Sequence, residues 1–306
     1  MNNPCSGSNA LRCGFIALVG APNAGKSTLI NQLVGQKVAI VSPKVQTTRT
    51  RVLGILLEGQ SQLVFVDTPG IFAPKRRLDR SMVSAAWEGA DEADVIAVLI
   101  DATRRSFGPD VELILDRLRR DERKAILLLN KVDAVQREKL LRQTQELNAT
   151  DLFDKIFMIS ALTGDGVEDF VHHLAGIVPE GPWLFPEDQV SDMPMRLLAA
   201  EITREKLFQR LHQELPYAIA VETEEWQTRK DGSVQISQVV YVERDGQKGI
   251  VLGAGGRTIK AIGTEARLEL ADILECKVHL NLFVKVRRNW TENPERFRDL
   301  GLNYNS

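Results

Sequence analysis

The feature that leaves this chain least freedom is the octapeptide Gly20-Ala-Pro-Asn-Ala-Gly-Lys-Ser27, placed directly after the apolar run Phe15-Ile-Ala-Leu-Val19. A buried strand that runs into a loop of pattern G-x-x-x-x-G-K-[ST], and from there into a helix, is the arrangement that cradles a polyphosphate. Gly20 and Gly25 leave room for successive backbone N–H groups to turn inward, with Ala21, Pro22, Asn23 and Ala24 completing the cradle. The helix expected from Ser27 through Thr28 to about Val34 aims its positive dipole end at the same anion. Lys26 is placed to reach the β- and γ-phosphates, and Ser27 to offer a hydroxyl to Mg²⁺.

Three further motifs follow in an order that this loop makes meaningful. Gln46-Thr-Thr-Arg-Thr50 lies in a polar segment before the strand pattern 52–57, and Thr47 or Thr48 suits a loop that orders around a γ-phosphate through Mg²⁺. Asp67, Thr68, Pro69 and Gly70 close the buried strand 62–66. Here Asp67 can hold a Mg²⁺-bound water and Gly70 can bring an N–H to the γ-phosphate. The basic, Pro-containing stretch from Ile71 to about Arg80 is expected to be mobile. The strand 124–129 delivers Asn130-Lys-Val-Asp133. Asp133 can accept from both N1–H and the 2-amino group of guanine, a pattern that adenine lacks. Asn130 is expected at the base edge, and the Lys131 stem over its face. A last strand, 155–159, ends in Ser160-Ala161, whose Ala161 N–H suits guanine O6. Alternating strands and helices imply a mostly parallel sheet covered on both faces, with every one of these contacts at strand carboxyl ends.

With 306 residues, 43% of them hydrophobic, the chain has the length of two domains. The charge is balanced, 39 Lys and Arg against 41 Asp and Glu, so nucleic-acid affinity requires a local patch. Cys5, Cys13 and Cys276 show neither metal-ligand nor disulfide spacing, as suits a reducing compartment. The N-terminal stretch lacks signal- and transit-peptide character, and no apolar run approaches the roughly 18 residues of a membrane span. A cytoplasmic protein with at most surface contact to a membrane is expected.

Val178-Pro-Glu-Gly-Pro-Trp-Leu-Phe-Pro breaks the alternation, and Trp183 and Phe185 are expected to pack this linker against a domain. Beyond it the patterns predict a helix over 195–215, strands over 217–226 and 234–243, a helix starting near 248, a helix over 257–271 and a strand over 278–286. This is an α-β-β-α-α-β order. Its centre, Gly253-Ala254-Gly255-Gly256, is a G-x-x-G loop between helices, the device by which KH modules bring a nucleic-acid backbone close to main-chain amides. Between Lys248 and Arg288 stand eight basic residues against four acidic ones. Of these, Lys248, Arg257 and Lys260 flank the loop and can neutralise phosphates, while Leu252, Ile259 and Ile262 line a groove or fill the core.

The sequence of motifs GAPNAGKS, QTTRTR, DTPG, NKVD and SA, then REKLF, ELPY and VLGAGGRTIKAIG, resembles the Era family of bacterial GTPases over almost the whole chain. The resemblance implies an α/β P-loop GTPase domain, mostly parallel with helices on both faces, followed by an α+β type II KH domain. Its implied boundaries are an extension 1–13, the GTPase domain 14–178, the linker 179–192, the KH domain 193–290 and a tail 291–306. It also implies GTP and GDP as ligands, binding to the 3′ end of 16S ribosomal RNA, a role in 30S subunit maturation, and peripheral association with the inner membrane. A monomer is expected. Lys26, Thr48, Asp67 and Gly70 are the expected catalytic set, with Mg²⁺ on Ser27, on Thr48 or Thr47, and on Asp67 through water. Ile71 stands where Ras-like proteins carry a water-orienting Gln, so slow intrinsic turnover is expected. Resemblance to GTPases with Asn at the position of Asn23 adds K⁺ as a source of positive charge; Arg49 and Arg104 are alternatives as an internal arginine finger. Two rival readings stand beside this one: a GTPase whose second domain docks a protein, and a nucleotide-gated RNA-binding protein with vestigial hydrolysis.

Overall fold

The computed structural model describes residues 10–42, 44, 48, 51–74, 77–211, 215, 219–288 and 302–304. The chain divides into two compact units, one built from 1–36, 51–73 and 86–192, the other from 37–50, 74–85 and 193–306.

The first unit is organised on a six-stranded sheet of β1 (Arg12–Gly20), β2 (Val52–Glu58), β3 (Ser61–Asp67), β4 (Val95–Asp101), β5 (Ala125–Asn130) and β6 (Phe153–Ile159), in the order β2-β3-β1-β4-β5-β6. All pairs are parallel except the β2–β3 hairpin. Strands buried on both faces read as near-continuous apolar runs, which is why β3, β4 and β5 carry so few polar residues. On one face, Ala86 and Ala90 of α2 (Arg77–Asp91), Ile114 and Leu118 of α3 (Gly108–Arg120) and Leu140 and Leu147 of α4 (Arg137–Asn148) share a core with Val19, Val98 and Leu127. On the other lie α1 (Lys26–Val34), whose Ile30 fills the space above Gly54, and α5 (Val167–Ile177), whose Phe170 ring meets Phe65 at 6.3 Å. β1 sits between β3 and β4, so its carboxyl end is the point where the chain leaves in opposite directions, the place where ligands bind in such sheets.

The Pro-rich segment after α5 lies along this unit. Cys13 N donates to Pro179 O at 3.1 Å and Ile55 N to Val190 O at 2.9 Å. Trp183 Nε1 donates to Gln60 O at 3.1 Å, and Phe185 packs beside Leu53 and Val64.

The second unit packs α6 (Met195–Arg210), α7 (Asp245–Leu252) and α8 (Arg257–Ile273) with a sheet of β7 (Ala220–Thr228), β8 (Val234–Val242) and β9 (Val278–Val286). β7 and β8 are antiparallel, β8 and β9 parallel. The first helix is shorter than the predicted 195–215: Leu211 is extended and buried, so that it and Leu215 turn into the same core as Leu207 and Ile262. Helix α7 starts at Asp245 rather than near 248, because the Gln247 side chain accepts from Glu243 N and Arg244 N at 2.8 and 3.1 Å and caps it. Among the described residues no helix is long and apolar enough to cross a membrane.

Candidate nucleotide site and RNA-facing loop

Strand β1 delivers the loop 20–25 straight into α1. Gly25 has φ 107° and Asn23 φ 63°, and Asn is one of the few non-glycine residues that adopt this left-handed conformation readily. A Cβ on Gly25 would lie 2.2 Å from Asn130 Nδ2, and one on Gly20 2.7 Å from Leu99 O. Lys26, 6% exposed, spans the loop and donates to Gly20 O at 3.0 Å and Ala21 O at 3.3 Å. Burial pushes its ammonium down to about 8, against an upward pull from Asp67. Thr28 is half-buried on α1.

The turn after β3 is tied to this loop. Ser27 Oγ donates to Asp67 Oδ2 at 2.9 Å, Thr68 Oγ1 to Leu18 O at 2.8 Å, and Ile71 N to Gly20 O at 3.1 Å. Pro69 is buried, and a Cβ on Gly70 would come within 3.1 Å of Pro22. Of the stretch 71–80 expected to be mobile, Ile71 itself is anchored: its side chain is 1% exposed and belongs to the core beside Ala86 and Ala90. Thr48 is half-buried in the segment 37–50 of the second unit, whereas Ser27 and Asp67 belong to the first. Thr47 and Arg49 lie outside the described residues.

At the other end of the loop, Asn130 acts as a brace. It is 1% exposed; its Nδ2 donates to Ala24 O at 2.8 Å, and its Oδ1 accepts from Lys131 N at 2.8 Å and Ala161 N at 2.9 Å. Asn130 is thus a joint that holds three loops together, in addition to the base-edge role expected of it, and the Ala161 N–H is shared with it. Lys131, at φ 68°, donates through Nζ to Asp101 Oδ2 at 2.7 Å, which fixes its stem. Burial alone would raise the Asp101 carboxyl, but hydrogen bonds from Lys131 and Thr103 outweigh it and hold the group below its ordinary value. Ser160 Oγ accepts from Thr163 N at 3.2 Å and shapes the loop, while Asp133 stands exposed on the 3-10 turn 132–134.

In the second unit, Gly253, Gly255 and Gly256 all have positive φ, at 70°, 61° and 76°. A Cβ on Gly253 would meet Thr258 Oγ1 at 2.1 Å, but around Gly255 and Gly256 there is open space. Arg257 and Lys260 are exposed and Lys248 half-buried, with Arg257 Nε donating to Ala254 O at 3.2 Å. Ile262 lies in the core and Leu252 and Ile259 pack against it, so the apolar residue left facing water beside the loop is Ile250, 59% exposed.

Two family models match: a 50S ribosome-binding GTPase over residues 15–131 and a KH domain over 214–291. GTPase Era of Rhizobium meliloti is 61% identical over 299 residues, covering 98% of this chain and 95% of that protein, and GTPase Era of Brucella suis is 60% identical over 96% and 94%. The chain belongs to the Era family of GTPases. A crystal structure of Era with MgGDPNP and nucleotides 1506–1542 of 16S ribosomal RNA superposes at TM-score 0.89 with 40% identity, over 95% of this chain and 99% of that one. A variant of Aquifex aeolicus Era bound to GDP and aluminium fluoride matches equally well, at TM-score 0.89.

The motifs of this Era-family chain leave out Asp101, which acts through another residue, and announce no contact for Arg104, which is expected only as an alternative arginine finger. Asp101 orients Lys131, and its signal was an Asp closing an apolar strand, as Asp67 does. Arg104 donates through Nη2 to Pro22 O at 3.2 Å, so its guanidinium is engaged with the phosphate loop's backbone. Neither bond has a sequence spacing that announces it.

Proposed function

We propose that this chain is a GTP-hydrolysing switch whose second unit binds single-stranded RNA at the 3′ end of 16S ribosomal RNA during 30S subunit maturation. The observation that carries the nucleotide half is the Asn130 brace, which joins the phosphate loop to the 130–133 and 160–161 loops in one site. Lys26, together with the Gly70 N–H, holds the β/γ-phosphate end, Asp133 selects guanine, and Ser160 and Ala161 close the base pocket. Ser27 Oγ and Asp67 Oδ2, hard oxygens 2.9 Å apart, suit Mg²⁺, with Thr48 or Thr47 as the further contact and Asp67 acting through water. When bound, Mg²⁺ neutralises charge developing on the phosphates.

Ile71 is apolar and buried, so no side chain at that position orients water, and intrinsic turnover is slow. Exposed Asn23 is the contact for K⁺; equal rates in KCl and NaCl would remove this assignment. Lys248, Gly253, Ala254, Gly255, Gly256, Arg257 and Lys260 form the RNA contact, supported by the open space around Gly255 and by the Era complex with a 16S ribosomal RNA fragment. The protein works as a cytoplasmic monomer, and the same basic patch gives it peripheral contact with the anionic inner membrane. The GTPase domain is assigned to 14–178 and the KH domain to 193–290. The test is binding of labelled RNA from the 16S 3′ end with GDP and with a non-hydrolysable GTP analogue, for wild type and Gly255→Asp. Tighter binding with the analogue, lost in the variant, supports the reading; weak binding indifferent to nucleotide and variant overturns it.

A further inference from the structure

The loop that follows β4 carries none of the nucleotide motifs, yet it touches both ends of the nucleotide site. Asp101 closes β4, and its carboxylate divides between two partners. Oδ1 accepts from Thr103 N at 2.9 Å and from Thr103 Oγ1 at 2.6 Å, which folds residues 101–103 into a tight turn, while Oδ2 takes the Lys131 ammonium at 2.7 Å. Helix α4 holds the same loop: Lys139 Nζ donates to Thr103 O at 2.9 Å and Gln143 Nε2 to Arg104 O at 3.3 Å. Gln143 is 7% exposed, so this last bond is made away from water. Placed in this way, the half-buried Arg104 donates through Nη2 to Pro22 O at 3.2 Å. Among the described residues no carboxylate pairs with Arg104. Its guanidinium is given to the main chain of the phosphate loop.

Pro22 is the position where such a bond matters most. Its ring fixes φ but leaves ψ free, and ψ of Pro22 sets the plane of the peptide that joins it to Asn23. In a trans peptide the carbonyl and the next N–H point to opposite sides of the chain, and among the described residues no bond is cis. Holding Pro22 O therefore also fixes the direction of the Asn23 N–H. A cation on the carbonyl polarises the same amide and makes its N–H a stronger donor. Donors that are already aimed when an anion arrives cost no reorganisation at that moment.

We propose that Arg104 is a positioning residue for the phosphate loop: through Pro22 O it turns the Asn23 N–H toward the nucleotide's phosphates and strengthens it, while Asp101, Thr103 and Gln143 hold Arg104 in place. This rests on the reading of residues 20–27 as the polyphosphate cradle. It also separates Arg104 from the role of an arginine finger. A guanidinium held on the loop's backbone serves GDP and the triphosphate alike, whereas a finger acts on charge that develops in the transition state.

The experiment uses the full chain, fluorescent GDP and GppNHp with Mg²⁺, and the proton–nitrogen correlation spectrum of the GDP complex. Arg104→Ala should weaken GDP and GppNHp by the same factor, about ten- to thirtyfold, as suits the loss of one hydrogen bond to a charged group. It should also move the Asn23 amide proton upfield. Arg104→Lys, which keeps the charge and a donor, should recover most of both effects. An Asn23 amide that stays in place, or a loss of affinity that fades as salt is raised, marks a long-range charge and overturns the positioning role. Unchanged GDP affinity with slower turnover at saturating GTP marks a finger and overturns it as well. Lys26→Ala separates this inference from the reading beneath it. If that variant binds GDP as wild type does, the cradle falls and the role of Arg104 with it. If it abolishes binding while Arg104→Ala leaves affinity and amide unchanged, only the role of Arg104 falls.

Discussion

Of the glycine loops at helix N-termini, 20–25 before α1 and 253–256 before α8 carry the two proposed ligands, and Gly25 of the first and Gly255 and Gly256 of the second use glycine for opposite reasons. In the first, protein atoms occupy the space a side chain would need: Asn130 Nδ2 lies 2.2 Å from the Cβ position of Gly25. In the second, Gly255 and Gly256 face open space and only their positive φ favours glycine. The first loop is a rigid mould whose shape is set by its surroundings before any anion enters. The second is a bare backbone ridge that a ligand's own backbone can approach. Preorganisation suits a small, highly charged ligand met with fixed N–H groups, while access suits a long chain laid across a surface.

The strongest test of this contrast is Gly25→Ala. The new methyl displaces an amide whose three hydrogen bonds hold three loops, and the backbone at φ 107° disfavours any L side chain. Strain and overpacking each cost about 1–3 kcal/mol, so a fall in Tm of roughly 10 °C and loss of more than about 10³-fold in GDP affinity are expected by calorimetry. Gly255→Asp should do the reverse. It meets no neighbour, and Asp tolerates left-handed backbone, so Tm should hold within about 3 °C. RNA affinity should fall about 30-fold, the equivalent of roughly 2 kcal/mol, because a carboxylate now stands where phosphates approach. A large Tm loss in the second variant, or none in the first, would break the comparison.

Much of this was legible in sequence because phosphate loops and strand ends impose local rules. The strands themselves followed from apolar runs, and Lys26 and Ser27 stand where their motif puts them, at the start of α1. What was not legible depended on side chains that meet across distant loops. Asn130 reads as a base contact because its motif is defined by the base, and nothing local announces that it also joins Ala24 and Ala161, 106 and 31 positions away. Ile71 reads as part of a polar, Pro-containing stretch, but a backbone bond to Gly20 O draws it into the core. The pairing of Lys37 with Glu205 and Glu269 spans 168 and 232 positions, beyond any local pattern.

The enclosed loop also makes a pH prediction that the open one does not. Lys26 sits near 8 when folded, below the ordinary 10.5, so the unfolded chain binds more protons between these values and stability rises with pH across that window. Nucleotide affinity should run the other way, because the polyphosphate needs the ammonium. From pH 7 to 8.5 the protonated fraction falls about fourfold, and GDP affinity should fall with it, below the range in which guanine itself titrates. Lys26→Arg, weaker overall, should show a flat profile over that range. A wild-type profile as flat as the variant's would separate this loop's electrostatics from its burial.

The smallest effect belongs to Lys260, exposed beside the open loop. An exposed ammonium acts on a phosphate through counterion release, so Lys260→Ala should weaken RNA binding only two- to fivefold at about 0.1 M salt and lower the log–log salt slope by about 0.7. Its effect should fade as salt rises, whereas buried Lys26 is screened far less and its contribution to GDP binding should persist in high salt. Measuring both dependences in one protein sets the two loops side by side. If Lys260→Ala changes affinity without changing the slope, its contact is not to a phosphate, and the second loop then reads bases or shape rather than backbone.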